Sequence, residues 1–141
     1  MSQTISLLTT KEISIPDVKE FCNKSNYYSN AKKENKLLIE QEYNPENVSR
    51  SYIMFDLSFD YIDVAINDYL EFDNLNKHKI ELIKDCHFFY IQHNDPKFLY
   101  SFLNNFFNYF RQYSSQILID DDYGNLFTID EFEEKYLSQM S

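Results

Sequence analysis

The densest chemistry in this sequence is one run, Asp120-Asp121-Asp122-Tyr123-Gly124-Asn125-Leu126-Phe127-Thr128-Ile129-Asp130-Glu131-Phe132. Carboxylates at alternate positions, closed by a glutamate, are what a calcium loop needs, because a hard cation is held by several oxygens. With Glu131 in the twelfth place, Asp120 falls first, Asp122 third and Thr128 ninth. The fifth place is then Gly124, which has no side-chain oxygen, and the sixth is Asn125 where the sharp turn wants glycine. The preceding SSQILI reads as a strand, whereas a calcium loop is entered from a helix. Thr128 and Glu131 also have the spacing of a capping box, with Phe127 and Phe132 placed as its hydrophobic staple. An acidic β-turn leading into a capped helix therefore explains the run better than a metal loop. No metal or cofactor is expected.

The other reactive side chains give weaker patterns. If residues 87–93 form one strand, His87 and His93 share a face but lie about 20 Å apart, too far for one metal ion. Cys86 would point away from His87, so the pair cannot act as nucleophile and base. There is no GxSxG elbow, and a single glycine leaves no phosphate loop or dinucleotide fingerprint. Asp56, Asp60 and Asp63 are carboxylates near one another in sequence, which a solvated strand-to-loop edge explains without acid–base work. The expectation is a protein that binds without catalysing.

These residues must sit on a domain, and 141 residues suit one domain, 1–141. Thirteen Phe and twelve Tyr supply a core, while one Gly and three Pro exclude a linker-rich chain. Cys22 and Cys86 form no CxxC pair and are expected to be reduced and structural. The start, MSQTISLLTTKEISI, lacks the basic and apolar regions of a signal peptide, and runs such as HFFYI are too short to cross a bilayer. A cytoplasmic location is the expectation. The formal net charge of −10 opposes binding to nucleic acid or anionic membrane and favours basic protein partners. The aromatic stripe near residue 106 lacks the basic companions of a base-stacking platform and is read as core.

The patterning predicts a strand over 4–9, then a helix opened by Ser14, Pro16 and Asp17 and ending near Asn26. A polar loop is expected at 27–35, and a strand over 36–43 with Leu37, Ile39 and Tyr43 on one parity. Ile53, Phe55, Leu57 and Phe59 alternate with Asp56 and Ser58, the signature of a half-buried strand. A short helix follows over 74–85, then a central strand over 86–92. Asp95 and Pro96 open the longest helix, with Leu99, Phe102, Leu103, Phe106, Phe110 and Tyr113 at helical spacing. Two short strands flank the acidic turn, and a helix running to about Leu137 closes the chain. This mixture predicts an α+β fold, a mainly antiparallel sheet with helices packed on one face.

From Asp120 to the end there are seven carboxylates and one lysine. Asp120, Asp121, Asp122, Tyr123, Asp130, Glu131 and Glu134 are the expected partner-binding residues, a negative patch suited to steering a basic surface. The second half runs through IELIKD, CHFFYIQHND, a long helix, ILIDDD, YGN, LFT and DEFEE. Over residues 79–134 this order resembles the small bacterial immunity proteins of polymorphic-toxin and contact-dependent growth inhibition systems. The resemblance implies stoichiometric binding of one cognate toxin domain, a nuclease in many such systems, with its active site occluded. The competing readings are a structural or adaptor module with no toxin partner, and a calcium-binding domain.

Overall fold

The computed structural model describes residues 3–43, 50–57, 67–72 and 75–137. Its frame is a seven-stranded sheet in which every neighbouring pair is antiparallel. The strands are β1 (Gln3–Thr9), β2 (Tyr28–Lys33), β3 (Lys36–Glu40), β4 (Tyr52–Asp56), β5 (His87–His93), β6 (Ile117–Asp120) and β7 (Leu126–Thr128). Their order is β2-β3-β4-β5-β1-β6-β7. The first strand thus lies between β5 and β6, pairing Leu7 with both Phe89 and Ile119. No helix among the described residues is long and apolar enough to cross a membrane.

The helices start where local chemistry says they must. Helix α1 (Ile15–Lys24) opens on a full capping box between Ser14 and Asp17. Asn76 caps α2 (Lys77–Lys84), and Asp95 caps α3 (Pro96–Tyr109), whose first residue is a proline that has no amide to leave unpaired. Thr128 and Glu131 cap α4 (Ile129–Phe132), which continues as a wider π turn over Glu133–Leu137.

Helices α1, α3 and α4 cover one sheet face. Phe102 is its centre, in ring contact with Phe21, Tyr27, Phe55 and Phe106. Burying a side chain of this size stabilises by roughly 1.5–3 kcal/mol, so the Phe-rich stripe of α3 dominates the core. The opposite face is covered more locally: Leu82 and Ile83 of α2, with Tyr69, pack on Leu8, Phe88 and Leu118. Tyr69 stacks on Phe88 at 5.8 Å. This explains why β6 is apolar at three successive positions and β5 carries Phe88 and Phe89 side by side, because both faces of these strands are covered.

The α+β class and the antiparallel sheet agree with the sequence reading, as do β1, α1, β5 and α3. The helices do not all pack on one face as expected, because α2 covers the face opposite α1, α3 and α4. Three further details differ. Residues expected as a polar loop form β2, an edge strand whose outer side meets water, so polar residues and the lysines Lys32 and Lys33 suit it. Tyr43 lies beyond β3 and is exposed, with its ring on Tyr28 at 5.1 Å. Strand β4 ends at Asp56; Phe59 lies outside the described residues, as do Asp60 and Asp63.

Candidate docking site

The hairpin between β6 and β7 positions the acidic run, with Asp120 paired to Leu126 across its base. Two overlapping side-chain turns build the tip. Asp120 Oδ1 accepts the Asp122 amide at 2.8 Å, and Asp121 Oδ1 accepts the Tyr123 amide at 2.9 Å. The chain then needs left-handed backbone at Asp122 (φ 66°) and Gly124 (φ 83°), conformations that suit Asp and Gly.

Asp120 and Asp121, adjacent in sequence, serve opposite faces of the sheet. Asp120 Oδ2 accepts the Tyr69 hydroxyl at 2.7 Å. Asp121 Oδ2 accepts the Tyr136 hydroxyl at 2.6 Å and the Asn125 amide at 3.4 Å. Burial raises the Asp120 carboxyl above its ordinary range, against the pull of the Tyr69 hydrogen bond. Burial, then the neighbouring Asp120, raises the Tyr69 phenol. Burial and the Asp121 hydrogen bond raise the Tyr136 phenol in the same way. The two carboxylates tie a phenol from each layer to the end of one strand.

Glu131 is similarly occupied. It accepts the Thr128 amide at 2.9 Å and meets the ammonium of Lys79, itself 2% exposed, at 3.0 Å. Burial opposes its ionisation, but the Thr128 hydrogen bond and Lys79 outweigh it and hold the carboxyl low. Lys79 also donates to the Leu126 carbonyl at 2.8 Å, which fastens α2 to β7. Glu133 pairs with Arg111 at 2.6 Å, and Asp130 lies 3.6 Å from the same guanidinium.

The seven residues expected at the interface therefore separate. Asp122, Tyr123, Asp130, Glu131 and Glu134 reach solvent, with Tyr123 75% exposed. Asp121 is buried and Asp120 half-buried, and both act first as internal acceptors. Their oxygens already accept hydrogen bonds from neutral donors, so the run is arranged as a hairpin tip. Among the described residues no group of three or more His, Cys, Asp or Glu is placed to hold a metal ion. His93 is buried with Nδ1 lacking a hydrogen-bond partner, and burial lowers its pKa. Cys22 and Cys86 are free, and burial pushes both thiols up to about 12.

Beside the tip lies a cleft of about 280 Å³, lined by Thr4, Ile5, Tyr100, Asp121, Asp122, Tyr123, Phe132 and Tyr136. The Tyr100 and Tyr136 rings stack at 5.8 Å, and Phe132 lies 4.8 Å from Tyr136. The sequence reading missed Tyr100, Tyr69 and Lys79. Lys79 had a signal, since it shares a helical face with Leu82 and Ile83. Tyr69 follows the weakly patterned stretch before α2, where no period marks a face. The fold and this tip define an acidic α+β domain with an aromatic and carboxylate-lined cleft. No known protein-family model, curated protein or solved structure matches the chain.

Proposed function

We propose that the chain is a stoichiometric inhibitor, an immunity protein that docks its acidic hairpin tip on a basic toxin domain and blocks that domain's active site. The observation that carries this reading is the exposed set Asp122, Tyr123, Asp130 and Glu134 on one hairpin and the helix it leads into, in a chain of net charge −10. A nuclease cleft built for phosphate is basic, and an acidic tip on a braced hairpin complements it in charge. Tyr123 adds an exposed ring with few rotatable bonds, the kind of group that anchors protein interfaces. The hydrogen-bonded carboxylates of Asp120, Asp121 and Glu131 brace the tip, and rigid presentation lowers the entropy lost on docking. The role needs no turnover and no cofactor.

The test is co-purification with the C-terminal domain of any large protein encoded directly upstream. A one-to-one complex whose affinity falls with salt, and falls further in a variant carrying Asp122→Asn, Asp130→Asn and Glu134→Gln, supports the reading. The absence of such a gene, or a complex indifferent to both salt and variant, overturns it.

A further inference from the structure

The geometry points to a side-chain-sized receptor in this surface: we infer that the cleft between the acidic tip and the C-terminal helix receives one arginine side chain of the protein partner. The inference rests on the docking reading and names what the partner must bring.

Charge selects a cation. Asp121 is 4% exposed and faces the cleft, yet among the described residues its oxygens meet neutral donors alone: the Tyr136 hydroxyl and the Tyr123 and Asn125 amides. Asp122 lines the same cleft, and neither carboxylate forms an ion pair among the described residues. Among the described residues, no Lys or Arg lines the cleft. A buried carboxylate with no counter-ion gains more from an arriving cation than an exposed one does, because water screens it less.

The aromatic walls narrow the choice. Tyr100, Tyr123 and Tyr136 stand around the acids, and cations are attracted to the faces of such rings. The chain's own Lys135 already sits over Phe127 at 5.2 Å and over Tyr136 at 5.3 Å, so the outer side of this cluster holds an ammonium. A planar guanidinium stacks on a tyrosine ring while donating to a carboxylate, which a compact ammonium cannot do as well. The volume, about 280 Å³, is below the range of ordinary small-molecule pockets and suits one side chain.

The probe is a tripeptide, acetyl-Gly-Arg-Gly-amide, titrated into the isotopically labelled full chain and followed by amide NMR. Its control is the same peptide with citrulline, a neutral group of nearly the same shape. Saturable shifts at Asp122, Tyr123 and Gly124 that weaken with salt and are absent with citrulline are expected. Asp122→Asn and Tyr123→Ala lie at the exposed tip, and each weakens arginine-peptide binding about two- to fivefold. A lysine peptide binds more weakly than arginine. Equal shifts with arginine and citrulline, or arginine shifts confined to other acids such as Asp17 and Glu20, overturn the inference. The probe needs no toxin, so the two readings fail separately. A toxin complex without arginine-peptide binding removes the cleft, and peptide binding without any toxin removes the immunity reading.

Discussion

Replacing Asp121 by alanine tests whether the tip is braced from inside. The substitution removes the acceptor of the Tyr136 hydroxyl at 2.6 Å, of the Tyr123 amide at 2.9 Å and of the Asn125 amide at 3.4 Å. The tip amides can turn to water, but the half-buried Tyr136 hydroxyl cannot do so freely. A hydrogen bond to a charged group contributes about 1.5–3 kcal/mol and a stranded buried donor costs about 1–3 kcal/mol, partly offset by releasing a buried carboxylate. The net expectation is a loss of about 2–3 kcal/mol, which for a chain of this size lowers Tm by roughly 10 °C. Tyr136→Phe leaves Asp121 two donors and costs about 1–2 kcal/mol. The double variant should therefore fall short of the sum by about 1 kcal/mol, the sign of a direct partnership. Asp122→Asn, exposed and still suited to left-handed backbone, should stay within about 0.5 kcal/mol of wild type. Urea denaturation of the four proteins reads all of these values. An Asp121→Ala variant no weaker than Asp122→Asn, or full additivity with Tyr136→Phe, refutes the bracing argument.

Three further outcomes follow from the buried polar groups. Lys79→Ala should cost about 2–4 kcal/mol in denaturant, because it opens a cavity and releases Glu131 and the Leu126 carbonyl, whereas Lys79→Met keeps the apolar stem and should cost about 1 kcal/mol. Both thiols should resist iodoacetamide at pH 8 in the folded chain and react once denaturant is added, since burial holds them up at about 12. Stability should narrow at both ends of the pH range. Burial depresses His93 below 6.5, so its contribution is full above that pH and is lost as pH falls through the folded value. The phenols of Tyr69 and Tyr136 are raised above 10.0, so theirs is present below pH 10 and lost as pH rises through the folded values. Denaturant midpoints across pH, repeated with Tyr136→Phe, check both limbs.

Much of this architecture is legible where local rules act alone. Ser14 with Asp17, Asp95 with Pro96, and Thr128 with Glu131 mark helix starts, because orphan amides need acceptors within a few residues. Phe102 and Phe106 lie on the buried face of α3 because a 3.6-residue period leaves no other choice. Strand β2 was hidden because an edge strand with a wet outer side needs no apolar alternation. The acidic run was legible as a turn with a capped helix, but not in its division of labour. Asp120, Asp121 and Asp122 are the same residue type in a row, and only the strand's alternation and its covers decide the roles. Asp120 meets Tyr69 on one face, Asp121 meets Tyr136 on the other, and Asp122 is exposed at the tip. Tyr69 and Tyr136 lie 51 and 15 residues from their partners, a separation that no local pattern reports.

The most direct measurement is growth rescue. Cells would express the C-terminal domain of an upstream-encoded toxin together with either the wild-type chain or the variant carrying Asp122→Asn, Tyr123→Ala, Asp130→Asn and Glu134→Gln. The wild-type chain is expected to restore growth, and the variant, folded and equally abundant, to restore it far less. Rescue by both chains alike would contradict docking through the acidic tip, and rescue by neither would contradict the immunity role itself.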